Sequence, residues 1–337
     1  MGFAALFATS VYKAVAMSVR TRVGRFRSWP PRGLLLDEPL ALAEEQVHRL
    51  RRIYAMAGRD LWDGPAVFRE AMNRHGGVQL AREKREALAH LIAMLMWGEL
   101  GAWIVSAELA ERLEDPDARM AASSQVFDEA RHFYTLRDYL AALHVPAPAI
   151  DPFFAAGVRS LLESRDLDLK LLAMQLLAEG TAQTVFRFLA DSEIEPVLCD
   201  LLPYIERDEA RHVGLGILHL PERLARRSPA ECRRIAWQVA TIGNLFGAAQ
   251  IRLIGHYRAL DLDAPELFRR ADRMLWGLSK KLGRIPGTST PYLWADDPDA
   301  PDYEKKLAFV FPPPGSRPPP AVRLFHGFLD VTARALA

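Results

Sequence analysis

The 337-residue chain has little cysteine: Cys199 and Cys232 are its only two thiols, and they do not form a CxxC pair. Two such distant cysteines exclude a disulfide framework and give no support for a zinc site built from thiolates. A low thiol content fits a reducing compartment, so we expect a cytoplasmic protein.

The chain also lacks a net charge of either sign, because 43 Lys and Arg residues oppose 42 Asp and Glu residues and leave a formal charge of +1. This balance gives no sign of a nucleic-acid partner. Long uninterrupted apolar runs are missing as well. The best candidate for a membrane span, 86–107, contains His90 and Glu99, which predicts a buried bundle helix instead.

Acidic residues are absent from positions 1–36, where one lysine and five arginines follow a run of apolar residues at helical spacing. A secretory signal would carry its positive charge before the apolar run. We therefore predict a basic N-terminal arm over 1–36. It either makes peripheral contact with an anionic membrane or a partner, or it is a plain terminal arm. Residues 37–337 are then expected to form a single domain.

Strand signals are scarce, and helical periodicity fills most of the chain. Prolines such as Pro116 and Pro196 stand where first helical turns should begin. The tail from residue 282 is rich in proline and glycine, so we expect it to be irregular up to a short helix near 321–335. The segments predicted as helical are 40–58, 65–74, 78–113, 116–143, 152–163, 166–191, 196–219, 228–259 and 264–281.

The pentapeptide DEARH occurs at 128–132 and again at 208–212, which is 80 residues later. The same shift of 80 aligns Glu99 with Glu179, each of which interrupts an apolar stretch. The chain therefore contains two related units, and each runs from a glutamate through a proline to DEARH.

A simple geometry explains the spacing inside each unit. The first glutamate lies 17 residues before the proline, and the DEARH glutamate lies 13 residues after it. At about 1.5 Å per residue, the two legs are roughly 25 and 20 Å long. An antiparallel helical hairpin with a short turn therefore brings the two glutamates of each unit to the same level.

Within DEARH, the glutamate and histidine are three residues apart and share a helix face. A single pair of this kind is usually a solvated salt bridge, but two pairs with matched upstream glutamates are hard to explain in that way. Dimetal carboxylate bundles use one Glu from each of two helices and Glu-x-x-His from each of the other two. Such a set suits iron or manganese. The predicted ligands are Glu99, Glu129, His132, Glu179, Glu209 and His212.

On these motifs, the stretch 85–220 resembles the ferritin-like superfamily of diiron carboxylate proteins. The resemblance implies an all-α, ferritin-like four-helix bundle with additional N- and C-terminal helices, the C-terminal extension being 221–337. It also implies that Asp128 and Asp208 hydrogen-bond a ligand histidine of the opposite hairpin. The two DEARH arginines would point away from the ligand face and form structural ion pairs.

The similarity to individual members is weaker. Storage ferritins usually end soon after the fourth bundle helix, whereas 125 residues follow His212. The small subunits of ribonucleotide reductase are similar in length but carry a tyrosine where this chain has Leu136, and the next tyrosine, Tyr139, is expected in the core. Arylamine N-oxygenases add a histidine where this chain has Ile205. Multicomponent hydroxylases usually have a threonine at the position of Gln183.

The resemblance implies an O2-activating oxygenase or oxidase that acts on a largely apolar small organic substrate. Two iron ions are the expected cofactor, with a Mn/Fe pair as the other option. An electron-donor protein is an expected partner, and a homodimer stays open. The alternatives are an iron-binding or ferroxidase protein without an organic substrate and, more weakly, a helical interaction module. The residues expected to line a substrate pocket, or else to pack in the core, are Met96, Ala102, Trp103, Ala182, Gln183 and Phe186.

Overall fold

The computed structural model describes residues 44–312 and 320–336. Within these ranges the chain is helical, with one isolated β-bridge between Arg284 and Pro291. The all-α prediction is confirmed. Leu50–Ala337 forms one compact unit, and the basic arm 1–36 lies outside the described residues.

The helices follow one another through short loops. The backbone stays helical at Lys170 and at Ala178, so α6, the π-helix π1 and α7 form one continuous rod. The elements are α1 (Glu44–Arg59), α2 (Gly64–His75), α3 (Arg82–Arg112), α4 (Pro116–Ala142), α5 (Pro152–Glu163), α6 (Leu167–Lys170), π1 (Leu171–Ala178), α7 (Glu179–Asp191), α8 (Pro196–Ala225), α9 (Pro229–Arg252), α10 (Ile254–Ala259), α11 (Ala264–Leu282), α12 (Tyr303–Val310) and α13 (Pro320–Leu336).

Two hairpins form the central bundle: α3 packs along α4, and π1–α7 packs along α8. Both return helices begin at the predicted prolines, Pro116 and Pro196. The side chain of Asp115 accepts hydrogen bonds from the first turn of α4, and that of Glu195 accepts one from the first turn of α8. These caps satisfy amide groups that have no partner within the helix, and so fix where each return helix starts.

The bundle core consists of two apolar clusters with a polar layer between them. On α3 the first cluster ends at Met96 and the second begins at Ala102. On α8 the first cluster ends at Ile205 and the second begins at Leu215. The predicted ligand residues fall in this gap on each long helix. The apolar packing above and below therefore holds their backbones in place.

One helix of the described chain, α3, is long and apolar enough to cross a membrane by length and composition. However, 67% of its apolar window is buried inside the fold, and the core helix of a bundle passes the same test.

Four features differ from the sequence prediction. The predicted helix 228–259 is interrupted at Leu253, so that α9 and α10 are separate helices. The stretch π1 is a π-helix, and Tyr303–Val310 forms a helix inside the tail that was expected to be irregular. Helix α8 continues past residue 219, through Pro221, to Ala225. The buried Leu220 and Leu224 anchor that last turn, so packing outweighs the amide group that the proline lacks.

Candidate metal centre

The six predicted ligand residues lie together in the polar layer, and none is more than 4% exposed. Their donor atoms form two overlapping groups, each within 4.8 Å. Glu129 and Glu209 belong to both groups. The first group adds Glu99 and His132, and the second adds Glu179 and His212. The arrangement is that of two ion positions that share two carboxylates.

His132 faces the first position with its Nδ1 atom. This atom lies 3.1 Å from Glu209 Oε1, 3.5 Å from Glu99 Oε2 and 3.6 Å from Glu129 Oε2. Among the described residues, His132 Nδ1 has no hydrogen-bond partner of suitable geometry. A buried nitrogen that is surrounded by carboxylate oxygens and makes no hydrogen bond is what a cation site presents when the cation is left out.

His212 faces the second position in the same way. Its Nδ1 atom lies 2.9 Å from Glu209 Oε2 and 3.1 Å from Glu129 Oε1. Within the described chain, Glu129 Oε2 and Glu209 Oε1 are buried without a hydrogen-bond partner. The donor set of four carboxylates and two imidazoles therefore fits a pair of ions such as iron or manganese.

Crowding divides the four carboxyl groups into two kinds. Burial, followed by the charge of Glu209, raises the pKa of Glu99 well above its usual value. Burial, followed by the charge of Glu129, raises that of Glu179. Burial acts in the same direction on the two shared carboxyls, but the charge of His212 and the contacts of both histidines together outweigh it, and the pKa values of Glu129 and Glu209 fall below the usual range. Without metal, the outer pair therefore binds protons more readily than the shared pair.

The two histidines respond in the opposite sense. Burial acts to lower the pKa of His132, but its contact with Asp208 and the carboxylates of the surrounding glutamates raise it well above its usual value. For His212, burial also acts downward, and the charges of Glu129 and Glu209 outweigh it. The raised pKa values of the two histidines and of Glu99 and Glu179 mean that a pair of cations would have to displace protons from these groups.

Each histidine turns its outer nitrogen toward an aspartate of the opposite hairpin. His132 Nε2 lies 3.1 Å from Asp208 Oδ2, and His212 Nε2 lies 3.4 Å from Asp128 Oδ2. These are the cross-hairpin contacts expected from the sequence. A hydrogen bond from Nε2 leaves Nδ1 to face the ion position, so the aspartates set the tautomer and the ring orientation.

The DEARH arginines do not point away from the site, which corrects the sequence prediction. Arg131 is 8% and Arg211 4% exposed. Arg131 Nη2 lies 2.7 Å from Asp208 Oδ2, and Arg211 Nη2 lies 2.9 Å from Asp128 Oδ2. Each arginine thus bridges the two hairpins, because the close pairing of α4 with α8 encloses the helix face that would otherwise meet solvent.

Sequence reasoning missed three polar neighbours. Trp62 Nε1 donates to Asp208 Oδ2 at 2.7 Å. Gln125 Nε2 donates to Glu129 Oε1 at 2.8 Å and to Glu179 Oε1 at 2.9 Å, and Gln175 Nε2 donates to the Gln125 carbonyl at 2.7 Å. A spacing of four residues before a ligand glutamate is the one signal that could have indicated both glutamines.

Two buried residues outside the ligand set, Tyr139 and His219, differ in their hydrogen bonding. Tyr139 is a core residue, as predicted, and its hydroxyl donates to Glu195 at 2.9 Å. His219 is buried, but neither ring nitrogen has a hydrogen-bond partner in the described chain.

A cavity of about 230 Å³ borders Glu99 and Glu179. It lies between the bundle and the outer helices α5, α9 and α11. Ala102 and Ala182 line it as expected. The other four predicted pocket residues, Met96, Trp103, Gln183 and Phe186, are not among its lining. Met96 and Phe186 pack in the apolar core, which is the alternative that the sequence left open for them.

Comparison with known proteins supports the fold. No protein-family model and no curated protein match the chain. The solved structures that are similar to the chain include two point mutants of an R2-like ligand-binding oxidase with aerobically reconstituted Mn/Fe cofactor. Each has a TM-score of 0.53, at 15% and 14% identity, and the alignments cover 73% and 74% of this chain and 99% of the other. The chain therefore has the ferritin-like fold of these helical proteins.

Proposed function

We propose that the protein is a non-haem dimetal oxidase or oxygenase that uses O2 and holds an Fe–Fe or Mn/Fe pair. One observation carries the proposal: two buried donor groups share Glu129 and Glu209, and three of their donor atoms have no hydrogen bond among the described residues. The cofactor of the two similar oxidases agrees with this donor set.

Each part of the site has a role in this proposal. Glu129 and Glu209 belong to both donor groups and would hold both ions, whereas Glu99 and Glu179 would each hold one. Such a metal pair, when bound, supplies the electrons that reduce O2. The surrounding apolar clusters exclude water, which strengthens the electrostatic interactions inside.

The cavity supports an organic substrate in addition to O2. Most of its lining is apolar, and it reaches two proposed ligands, Glu99 and Glu179. A small, largely apolar molecule held there would lie beside the ions. A storage or ferroxidase role needs no such space. Turnover also needs an electron-donor protein, unless the substrate itself supplies all four electrons.

The test is anaerobic loading with Fe(II), followed by mixing with O2. We expect O2 consumption and a change in the absorption spectrum, because diferrous carboxylate sites donate electrons in pairs. An unchanged spectrum and no O2 uptake would exclude the oxidase function while leaving metal binding intact. Native mass spectrometry of the purified protein then separates an oxidase from a ferroxidase, since only the oxidase is expected to retain a small organic ligand.

A further inference from the structure

The cavity has a chemically distinct wall on α11. This helix presents Asp272 to the cavity among apolar neighbours on one face. The spacing of these residues is i, i+3, i+4 and i+7, so the same side of the helix faces the space throughout. The four are Phe268, Ala271, Asp272 and Leu275.

The charges around the cavity are all negative. Among the described residues that line it there is no Lys, Arg or His, and the charged groups are Glu99, Glu179 and Asp272. The two glutamates are proposed metal ligands, whose charge the ions offset. Asp272 is therefore the acidic group that could pair with a molecule bound in the cavity. An anionic head group beside it would have no positive charge to pair with.

The carboxyl group of Asp272 has a hydrogen bond to one of its two oxygens. The Tyr303 hydroxyl donates to Oδ2 at 2.6 Å, and the described chain provides no ion pair for the carboxyl group. Burial, opposed by the Tyr303 hydrogen bond, raises the pKa of Asp272. A partly buried carboxylate with an oxygen to spare and no cation is stabilised by a cationic hydrogen-bond donor.

We propose that the substrate is an apolar molecule that carries an amine, with its ammonium group on Asp272 and its apolar body along the cavity. The inference rests on the proposed function, because it takes Glu99 and Glu179 to be neutralised by metal. The apolar body would contact residues such as Phe154 and Val158 of α5 and Phe246 of α9. The negative charge of Asp272 would therefore select the substrate in addition to the shape of the cavity.

Isothermal titration of Mn(II)-loaded protein with octylamine, octanoate and octan-1-ol tests this selectivity, because the three probes share one chain length. A charge-assisted hydrogen bond that octanoate cannot make predicts that octylamine binds at least about tenfold more tightly than octanoate. Octan-1-ol should lie between the two. The metal content of every sample is measured alongside.

Three variants make the test specific. Asp272→Asn keeps the size of the side chain and an acceptor for Tyr303, and we expect it to abolish the preference for the amine. Asp296→Asn removes the same charge from a side chain that is 58% exposed and outside the cavity lining, so the preference should stay. A Cβ at Gly247 meets nothing within 4 Å, so Gly247→Leu should fill the cavity and lose all three probes.

Any of three results would overturn the inference. Octanoate could bind as tightly as octylamine, Asp272→Asn could keep the preference for the amine, or none of the probes could bind. Metal content separates this failure from failure of the proposed function. If unsubstituted protein holds two ions per chain but shows no preference for octylamine, the result counts against the substrate alone. Protein that binds no metal counts against the metal centre.

Discussion

At the scale of single residues, the shared glutamates provide the most direct test of ligation. In the variant Glu129→Ala/Glu209→Ala, we expect the metal content to fall well below two ions per chain and O2 chemistry to vanish. The helices should survive, because alanine is the best helix former. Elemental analysis and circular dichroism measure both outcomes.

The control for this variant is Asp138→Ala/Glu222→Ala, which removes two acids that are 38% and 49% exposed from the same two helices. It should keep two ions per chain. If the glutamate double variant also kept two ions, Glu129 and Glu209 would not be ligands.

Gln125 gives a second residue-scale prediction, because it makes the two ion positions inequivalent. The shift of 80 that relates the two hairpins places Ile205 opposite Gln125, so only the His212 side has an amide on its carboxylates. Gln125→Leu should weaken binding of one ion by about tenfold or more and spare the other. Titration against a competing chelator measures this. Ile205→Leu, at the related apolar position, should change neither affinity, and equal weakening of both ions by Gln125→Leu would contradict the assignment.

The sequence was sufficient to predict the six clustered side chains, since their types and spacing repeat. It was not sufficient for Gln125 or Trp62. A lone polar residue on an apolar helix face carries no repeat. Its partner is visible only once the hairpins are packed, and Trp62 reaches Asp208 across 146 positions.

At the scale of helices, the close approach of α8 to π1 depends on a glycine. A Cβ on Gly216 would lie 2.7 Å from Gln175 Cβ and 2.8 Å from Leu176 Cδ2. Gly216→Ala should therefore destabilise the protein by ~1–3 kcal/mol through overpacking. It should also disturb the amide of Gln175, which supports Gln125. Chemical denaturation measures the loss.

Gly214 is a matched control two positions earlier on α8. The nearest atom to its added Cβ, Ile53 Cδ1, is 3.7 Å away. Gly214→Ala should stabilise the helix by up to ~1 kcal/mol, because alanine loses less backbone entropy than glycine. If Gly216→Ala and Gly214→Ala changed the free energy of unfolding in the same direction, the close packing of α8 on π1 would not explain the effect of Gly216→Ala.

Helical periodicity and capping prolines predicted most helices to within a few residues. The π-helix could not be predicted in this way, because its i to i+5 hydrogen bonds leave the apolar residues of Leu171–Ala178 unbroken. The cavity was also beyond the sequence. Its walls come from six helical elements, including α5, α9 and α11, whose placement depends on tertiary packing.

For the whole molecule, metal and protons compete for one buried cluster. Glu99 and Glu179 hold protons above their usual pKa of 4.5, and the two site histidines hold protons above their usual 6.5. Binding of two divalent ions should therefore release protons, because ligands bind metal in the deprotonated form. A pH indicator in weakly buffered solution measures the release, and the double variant Glu129→Ala/Glu209→Ala should release fewer protons.

The same competition predicts how stability depends on pH. In metal-free protein, the raised pKa values of Glu99 and Glu179 mean that the folded state binds more protons than the unfolded chain above about pH 4.5, so stability falls as pH rises. The site histidines add to this above about pH 6.5, and their contribution is lost as pH rises through their folded pKa values. Metal-loaded protein has no such protons to lose, and its affinity for metal increases with pH. The difference in unfolding temperature between loaded and metal-free protein should therefore widen from pH 6 to pH 8, a range of about two units that begins near the ordinary histidine pKa. Calorimetry of both forms across this range measures the difference, and a constant or narrowing gap would show that the six buried groups do not exchange protons for metal.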